Sequence, residues 1–230
     1  MNKNIRNMLP EDILELPTLS LEDTFEFNCK ACGKCCKQRH DIILTPFDLF
    51  RIATFFGRTN KEIVDRYCEV YIGDTSHLPI VRLLPVPPDN ACPFLRGKKC
   101  AVHEKKPVVC RVFPLARMNV AEEDTPRYFY SGSDCRHEPK TFTVQEWIGD
   151  IALEEAEEAG RLWMDVITVL FPMMEKVQNL SEKTRNMVNS AVFVGLYLAY
   201  DNDIPFISQF RKNFESINNL LESGLAYEDV

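Results

Sequence analysis

Residues 27–36 read Phe-Asn-Cys-Lys-Ala-Cys-Gly-Lys-Cys-Cys, and this string decides what kind of fold the chain can have. Cys29, Cys32 and Cys35 recur at every third position. A Cys-x-x-Cys turn brings two sulfurs to one metal, and repeating the turn supplies a third sulfur from the same short loop. Gly33 lies between them, where a tight turn needs freedom in φ. The string therefore predicts a metal centre, made of iron and sulfide or of zinc.

Cys36 directly follows Cys35, and this adjacency is the unusual feature of the string. Neighbouring side chains usually point in different directions, so we do not expect both sulfurs to bind one mononuclear ion. Either Cys36 serves a second centre, or one of the pair is spare or redox-active.

Further cysteines follow at a distance. Cys92 precedes Pro93, and the remote fourth ligand of ferredoxin-like cluster loops is often followed by proline. We therefore expect an iron–sulfur cluster to bind the three spaced cysteines and Cys92. The full set of predicted metal ligands is Cys29, Cys32, Cys35, Cys36, Cys92, Cys100, Cys110 and Cys135. Eight sulfurs fit two centres of four ligands, or one cluster with extra thiols, and the spacing leaves both open.

The chain has nine cysteines and no apolar stretch of the kind that begins a secretory signal. We therefore expect a cytoplasmic protein, in which thiols bind metals more often than they form disulfides. The apolar stretches are too short for a membrane span, so no membrane association is expected. The net charge is −7, without a concentrated basic patch, so nucleic acid is not an expected partner. A protein substrate or partner is left open.

Charge and cysteine content divide the chain. Residues 141–230 contain 15 acidic and 6 basic residues, whereas residues 1–140 contain 19 and 21. We predict a flexible lead-in over residues 1–21, a cysteine-cluster metal-binding domain over residues 22–140 and a helical tail or cap over residues 141–230. The middle part is rich in proline and loops, so metal binding should supply much of its folding free energy.

Capping residues mark the helix starts. Thr45, followed by proline and an acid, predicts a helix that ends at Gly57, and a capping box at Thr59 predicts a second helix through about Tyr71. Cys68 would then lie on the apolar stripe of this second helix as a small core residue.

The tail is predicted to be helical. A capping box at Thr143 should begin a helix over residues 144–159 that ends at Gly160, and Pro172 should kink or break the next helix. Two more helices are predicted over residues 181–200 and 204–221, and short strands over residues 41–44, 80–84 and 127–130. The fold class is thus α+β, mainly α: a cysteine-rich, loop-heavy region with short strands, packed against a C-terminal helical bundle.

At these residues the chain resembles the YkgJ-type cysteine-cluster proteins, a family described by its CxxCxxCC pattern as zinc- or iron-chelating. The resemblance covers about residues 25–115, with Lys106 where the family is expected to carry arginine. It rests on Phe27-x-Cys29-x-x-Cys32-Gly33-x-Cys35-Cys36, Leu44-Thr45-x-x-Asp48, Cys92-Pro93-Phe94-Leu95, Cys100-x-x-His103-Glu104 and Pro107-x-x-Cys110-Arg111-x-Phe113-Pro114.

The resemblance implies metal binding, and it extends distantly to the flagellin lysine N-methylase, which uses S-adenosylmethionine. Three functions are therefore open: a cluster-binding protein, a cluster-dependent modifying enzyme such as a protein lysine N-methyltransferase, and a structural zinc module that presents its tail to a protein partner. S-adenosylmethionine is implied only by the family, because no glycine-rich nucleotide fingerprint is present. No residue is predicted to be catalytic. Asp48, Arg51, Glu104 and Arg111 lie near predicted ligands in sequence and are candidates for supporting or substrate-binding roles.

Overall fold

The computed structural model describes residues 15–120, 123, 125–132, 138–149 and 154–226. Over these residues the fold is α+β and mainly helical, as predicted. The helices are α1 Pro46–Phe56, α2 Asn60–Tyr67, α3 Val108–Val112, α4 Val144–Ile148, α5 Glu154–Val177, α6 Glu182–Phe193 and α7 Phe206–Ala226. The strands are β1 Thr24–Phe27, β2 Ile43–Leu44, β3 Cys68–Ile72, β4 Pro79–Leu83, β5 Leu95–Arg96, β6 Lys99–Cys100, β7 Leu115–Met118, β8 Arg127–Tyr130 and β9 Lys140–Thr143.

The chain forms two compact units. The first contains Met1–Ile42 and Pro85–Glu157, and the second contains Ile43–Leu84 and Glu158–Val230. Residues 43–84 thus belong with the C-terminal helices rather than with the cysteine run that precedes them. The predicted domain boundaries at 21/22 and 140/141 stay a prediction, because units of contact are not the same as independently folding domains.

The first unit is built from small antiparallel sheets around an aromatic core. Strand β1 pairs with β9 from Thr24↔Thr143 to Phe27↔Lys140, and β7 pairs with β8. Phe27 is 5 % exposed, and its ring meets the Trp147 ring edge-on with centroids 5.2 Å apart. The buried residues of this core are Phe25, Phe27, Val112, Leu115, Tyr128, Val144 and Ile148. The core lies directly beside the cysteine run because β1 ends at Phe27, two residues before Cys29.

The second unit combines a three-stranded sheet, ordered β2-β4-β3, with helices α1, α2, α5, α6 and α7. The predicted caps are confirmed at Thr45 and Thr59, whose side chains accept hydrogen bonds from the amides three residues on. Gly57 ends α1 with φ of 59°, as predicted. Asn60, 1 % exposed, donates a hydrogen bond of 2.7 Å to the Tyr197 carbonyl and so ties α2 to a π-helical turn after α6.

The predicted helix through Tyr71 is wrong. Helix α2 ends at Tyr67, and the next five residues form β3, which pairs with β4 from Cys68↔Leu83 to Ile72↔Pro79. Valine, tyrosine and isoleucine favour strands, and pairing with β4 outweighs the helical spacing. Cys68 is therefore the first residue of a strand, not part of a helical stripe.

The predicted helix boundaries in the tail are also wrong. The cap at Thr143 is confirmed, but α4 ends at Ile148, where Gly149 takes φ of 37°. Helix α5 runs through Gly160 and Pro172 to Val177. Its face at residues 166, 170, 174 and 177 is at most 1 % exposed. Burying four such side chains contributes about 1.5–3 kcal/mol each, which exceeds the cost of about 3 kcal/mol for an internal proline.

No helix in the described part of the chain is long and apolar enough to cross a membrane.

Cys68 gives a test of this part of the fold. It belongs to the second unit, and burial raises the pKa of its thiol to about 12, so it is a neutral packing residue. We expect Cys68→Ala to lower the free energy of unfolding by about 1 kcal/mol, the usual effect of trimming a small packed side chain. Metal content per chain should not change. Loss of metal from Cys68→Ala, measured by elemental analysis, would contradict this assignment.

Candidate metal centre

The cysteine run folds as a loop that ends in a short 3-10 turn, Lys34–Cys36. Gly33 precedes this turn with φ of 74°, which confirms that the spacing needs a residue free to adopt positive φ. A side chain built at Gly33 would lie 3.5 Å from the backbone of Lys98. The loop therefore passes close over the β5–β6 hairpin, which carries Cys100 at its end.

Cys35 and Cys36 lie closer than their adjacency led us to expect. Their Sγ atoms are 4.0 Å apart, because the 3-10 turn directs both side chains to one side. Two sulfurs on one tetrahedral zinc, each about 2.3 Å from the metal, would be roughly 3.8 Å apart. The expectation that adjacent side chains usually point in different directions therefore does not hold for this pair.

Cys92 is brought to the run by backbone hydrogen bonds. Its amide donates to the Cys36 carbonyl at 2.7 Å. The amides of Gln38 and Arg39 donate to the carbonyls of residues 89 and 90 at 3.1 and 3.0 Å, and Lys37 forms an ion pair with Asp89 at 2.6 Å. The segment after the run and the segment before Cys92 are thus joined side by side.

Cys100 and Cys110 come from the following elements. Cys100 pairs with Leu95 in the β5–β6 hairpin. Cys110 lies in α3, which is anchored because Val112 is 1 % exposed and its carbonyl accepts a hydrogen bond from Trp147 Nε1 at 3.1 Å. The aromatic core of the first unit therefore fixes the element that carries Cys110.

The cysteine sulfurs of the first unit act on one another electrostatically. The hydrogen bond with Cys36, helped by the nearby positive charges of Arg39 and Lys106, lowers the pKa of Cys35 to about 6 against the effect of burial. The same hydrogen bond and burial raise the pKa of Cys36, and the neighbouring sulfurs of Cys35, Cys92 and Cys110 raise it further. Cys100 belongs to the same set, since its charge raises the pKa of Cys92.

Backbone amides also point at two of these sulfurs. Burial raises the pKa of Cys92, but hydrogen bonds from the amides of Phe94 and Leu95 oppose that effect. Burial likewise raises the pKa of Cys100, and the amide of Val102 opposes it. Hydrogen bonds to a sulfur favour its charged form, which is the form that binds metals.

Two cations that were not among the predicted site residues act on these sulfurs. Arg39 is 5 % exposed, donates to the Cys35 carbonyl at 2.8 Å and forms an ion pair with Asp41 at 2.5 Å. Its positive charge lowers the pKa of Cys35 and of Cys92, and Lys106 lowers that of Cys35 and of Cys100. Arg39 lies in a polar stretch with no sequence signal of burial. Lys106 could have been selected from the sequence, because it lies inside the family motif.

The remaining predicted ligands and two of the candidate supporting residues have different positions. Cys29 is exposed and Cys32 is half-buried, both in the loop before the 3-10 turn. Cys135 lies outside the described residues. Asp48 is in the second unit, where it completes the cap of α1, and Arg51 lies over the Phe47 ring of the same helix.

The donor set fits a metal that prefers sulfur. Thiolates bind zinc and iron–sulfur clusters, and Arg39 and Lys106 offset part of the negative charge that several thiolates would bring together. Within the described residues, no three cysteine, histidine, aspartate or glutamate side chains are yet arranged closely enough to hold an ion. The sulfurs that influence one another electrostatically are those of Cys35, Cys36, Cys92, Cys100 and Cys110.

Comparison with known proteins assigns the family. A family model described as "CxxCxxCC: Putative zinc- or iron-chelating domain" matches residues 28–142, which is half of the chain. The chain belongs to this family, and the resemblance inferred from its motifs is confirmed. The match extends beyond residue 115 and so includes Cys135. No curated protein matches the chain, and no solved structure does. Chelation of zinc or iron by a cysteine cluster is the function that this membership supports.

Arg39 offers a test of the site that leaves every cysteine in place. We expect Arg39→Gln to weaken metal retention by about 10-fold or more, the usual effect of removing a group that supports metal ligands. Arg39→Lys keeps the charge but loses the forked hydrogen bonds. Its metal retention should therefore lie between that of Arg39→Gln and that of the unchanged protein. The measurement is the rate of metal transfer to a chelator.

Arg82→Gln is the matched control, because Arg82 forms an ion pair with Glu69 in the second unit. It should release metal at the rate of the unchanged protein. Equal release rates for Arg39→Gln and Arg82→Gln would show that Arg39 does not support the centre.

Proposed function

We propose that this chain is an iron–sulfur protein whose cluster is bound by Cys29, Cys32, Cys35 and Cys92. The observation that carries the proposal is the hydrogen bond of 2.7 Å from the Cys92 amide to the Cys36 carbonyl. It supports the proposal because it places the remote Cys-Pro beside a run of three regularly spaced cysteines, and these are the parts from which ferredoxin-like cluster loops are made.

The surrounding charges and packing support the same proposal. A cluster with four thiolates carries net negative charge, and the buried Arg39 and the half-buried Lys106 lie where they can offset it. The β5–β6 hairpin and the aromatic core of the first unit hold the flanking segments. A bound cluster would supply electron transfer or a rigid cross-link, and the protein side chains would position it and set its potential.

Zinc is the second candidate, and one observation favours it. The Sγ atoms of Cys35 and Cys36 are 4.0 Å apart, near the separation of two sulfurs on one tetrahedral ion. In that case both members of the pair would be ligands, together with sulfurs from the segment that contains Cys92, Cys100 and Cys110.

Anaerobic purification separates the two candidates. The iron–sulfur proposal predicts a brown protein with broad visible absorption and about four irons and four acid-labile sulfides per chain, as a [4Fe–4S] cluster requires. Cys32→Ser should lose this absorption, whereas Cys68→Ser should keep it. A colourless protein that contains stoichiometric zinc after the same preparation would overturn the proposal in favour of zinc.

A further inference from the structure

Within the described residues, no strand pairs with the outer side of β3, so the three-stranded sheet of the second unit has an open edge there. The order β2-β4-β3 leaves β3 at that edge. Three consecutive apolar residues of β3 are exposed there: Val70 by 40 %, Tyr71 by 37 % and Ile72 by 38 %. Natural sheets usually protect such an edge with lysine, proline or a bulge, because its unpaired backbone groups bind other strands. These three residues carry none of those protections.

The hydrogen-bond pattern shows which backbone groups face outward. The Leu84 amide donates to the Tyr67 carbonyl at 2.8 Å. This bond shows which residues of β3 direct their backbone groups toward β4. In an antiparallel pair, alternate residues direct their backbone groups to the partner strand and away from it. Tyr67 directs its backbone groups toward β4, and Val70 and Ile72 follow it by an odd number of residues. Their N–H and C=O groups therefore point away from β4, toward the open edge.

The apolar surface continues beyond the strand. Phe55 and Phe56 at the end of α1 are 42 % and 36 % exposed. The Phe56 ring stacks with the Tyr67 ring at 6.3 Å, and Tyr67 directly precedes β3. Exposed apolar side chains that lie close together are typical of an interaction site.

We propose that β3 is a self-association edge, at which two copies of this chain pair β3 with β3 in antiparallel orientation. A two-fold axis at Tyr71 places Val70 of one copy opposite Ile72 of the other. Each of these pairs can form two hydrogen bonds between the outward backbone groups, so the edge is complementary to itself.

The side chains are compatible with the same register. Tyr71 would lie opposite its own copy, and a cross-strand pair of aromatic residues is favourable. Glu69 would lie opposite Gly73, so no acidic residue faces another across the axis. Because this register has no like-charge pairs, a second copy of the chain fits the edge.

Sedimentation of the full metal-loaded protein over a range of concentrations tests the proposal. We expect a reversible dimer. Val70→Lys adds an edge lysine to each copy and should raise the dimer dissociation constant at least about 10-fold. Val70→Pro removes an outward N–H at two symmetry-related positions without breaking the β3–β4 ladder, and should have a similar effect. Met187→Lys is the matched control, because Met187 is 64 % exposed on α6 and should leave the dimer unchanged.

Amide hydrogen exchange provides a second measurement that does not depend on the variants. The amides of Val70 and Ile72 should become more protected as protein concentration rises, whereas those of Glu69 and Tyr71 should be protected by β4 at every concentration. A protein that stays monomeric, or a dimer that Val70→Lys and Val70→Pro leave intact, overturns the proposal. Protection of Val70 and Ile72 that does not depend on concentration overturns it as well.

Discussion

The cysteine region depends on the backbone pairing between the segment after the run and the segment before Cys92. The bond of 2.7 Å from the Cys92 amide to the Cys36 carbonyl is its central contact, and the amides of Gln38 and Arg39 extend it. Without this pairing, the run would be a loop with three or four thiols and no remote partner. With it, cysteines separated by more than fifty residues in the chain influence one another's protonation.

Gathering thiols in a half-buried region has an electrostatic cost, because several of them must lose protons to bind a metal. The hydrogen bond with Cys35 raises the pKa of Cys36, and burial and mutual repulsion raise the pKa of Cys36, Cys92 and Cys100. The opposing forces are the guanidinium of Arg39, the ammonium of Lys106 and the amides that point at the sulfurs. A bound cation or cluster would supply the rest of the compensation, which is why metal binding and folding of this region should be linked.

Helix caps, which depend on neighbouring residues, could be predicted from the sequence. Strand pairing between distant segments could not. The caps at Thr45, Thr59 and Thr143 depend on residues within four positions, so they were predicted and are confirmed. The strand at Cys68 was missed because its pairing with β4 outweighs the local pattern. For Pro172 the sequence predicted a kink or a break, and the helix continues past it because a whole helix face is buried.

The same distinction applies to the candidate site. The choice of candidate metal-binding cysteines comes from their spacing and stays a prediction, whereas the family of the chain is assigned. The burial of Arg39 depends on its contact with the Cys35 carbonyl, which lies close in sequence but requires the turn that only the folded loop has. The close approach of the Cys35 and Cys36 sulfurs depends on the same 3-10 turn, so side-chain direction could not be deduced from adjacency.

The central claim is that sulfurs from both the run and the Cys92 segment bind one centre. X-ray absorption at the metal edge of the isolated protein tests it most directly. We expect a ligand shell dominated by sulfur at about 2.3 Å, with a lower sulfur count in Cys92→Ser and an unchanged count in Cys68→Ser. A shell made mainly of nitrogen and oxygen, or one that Cys92→Ser leaves unaltered, would contradict it.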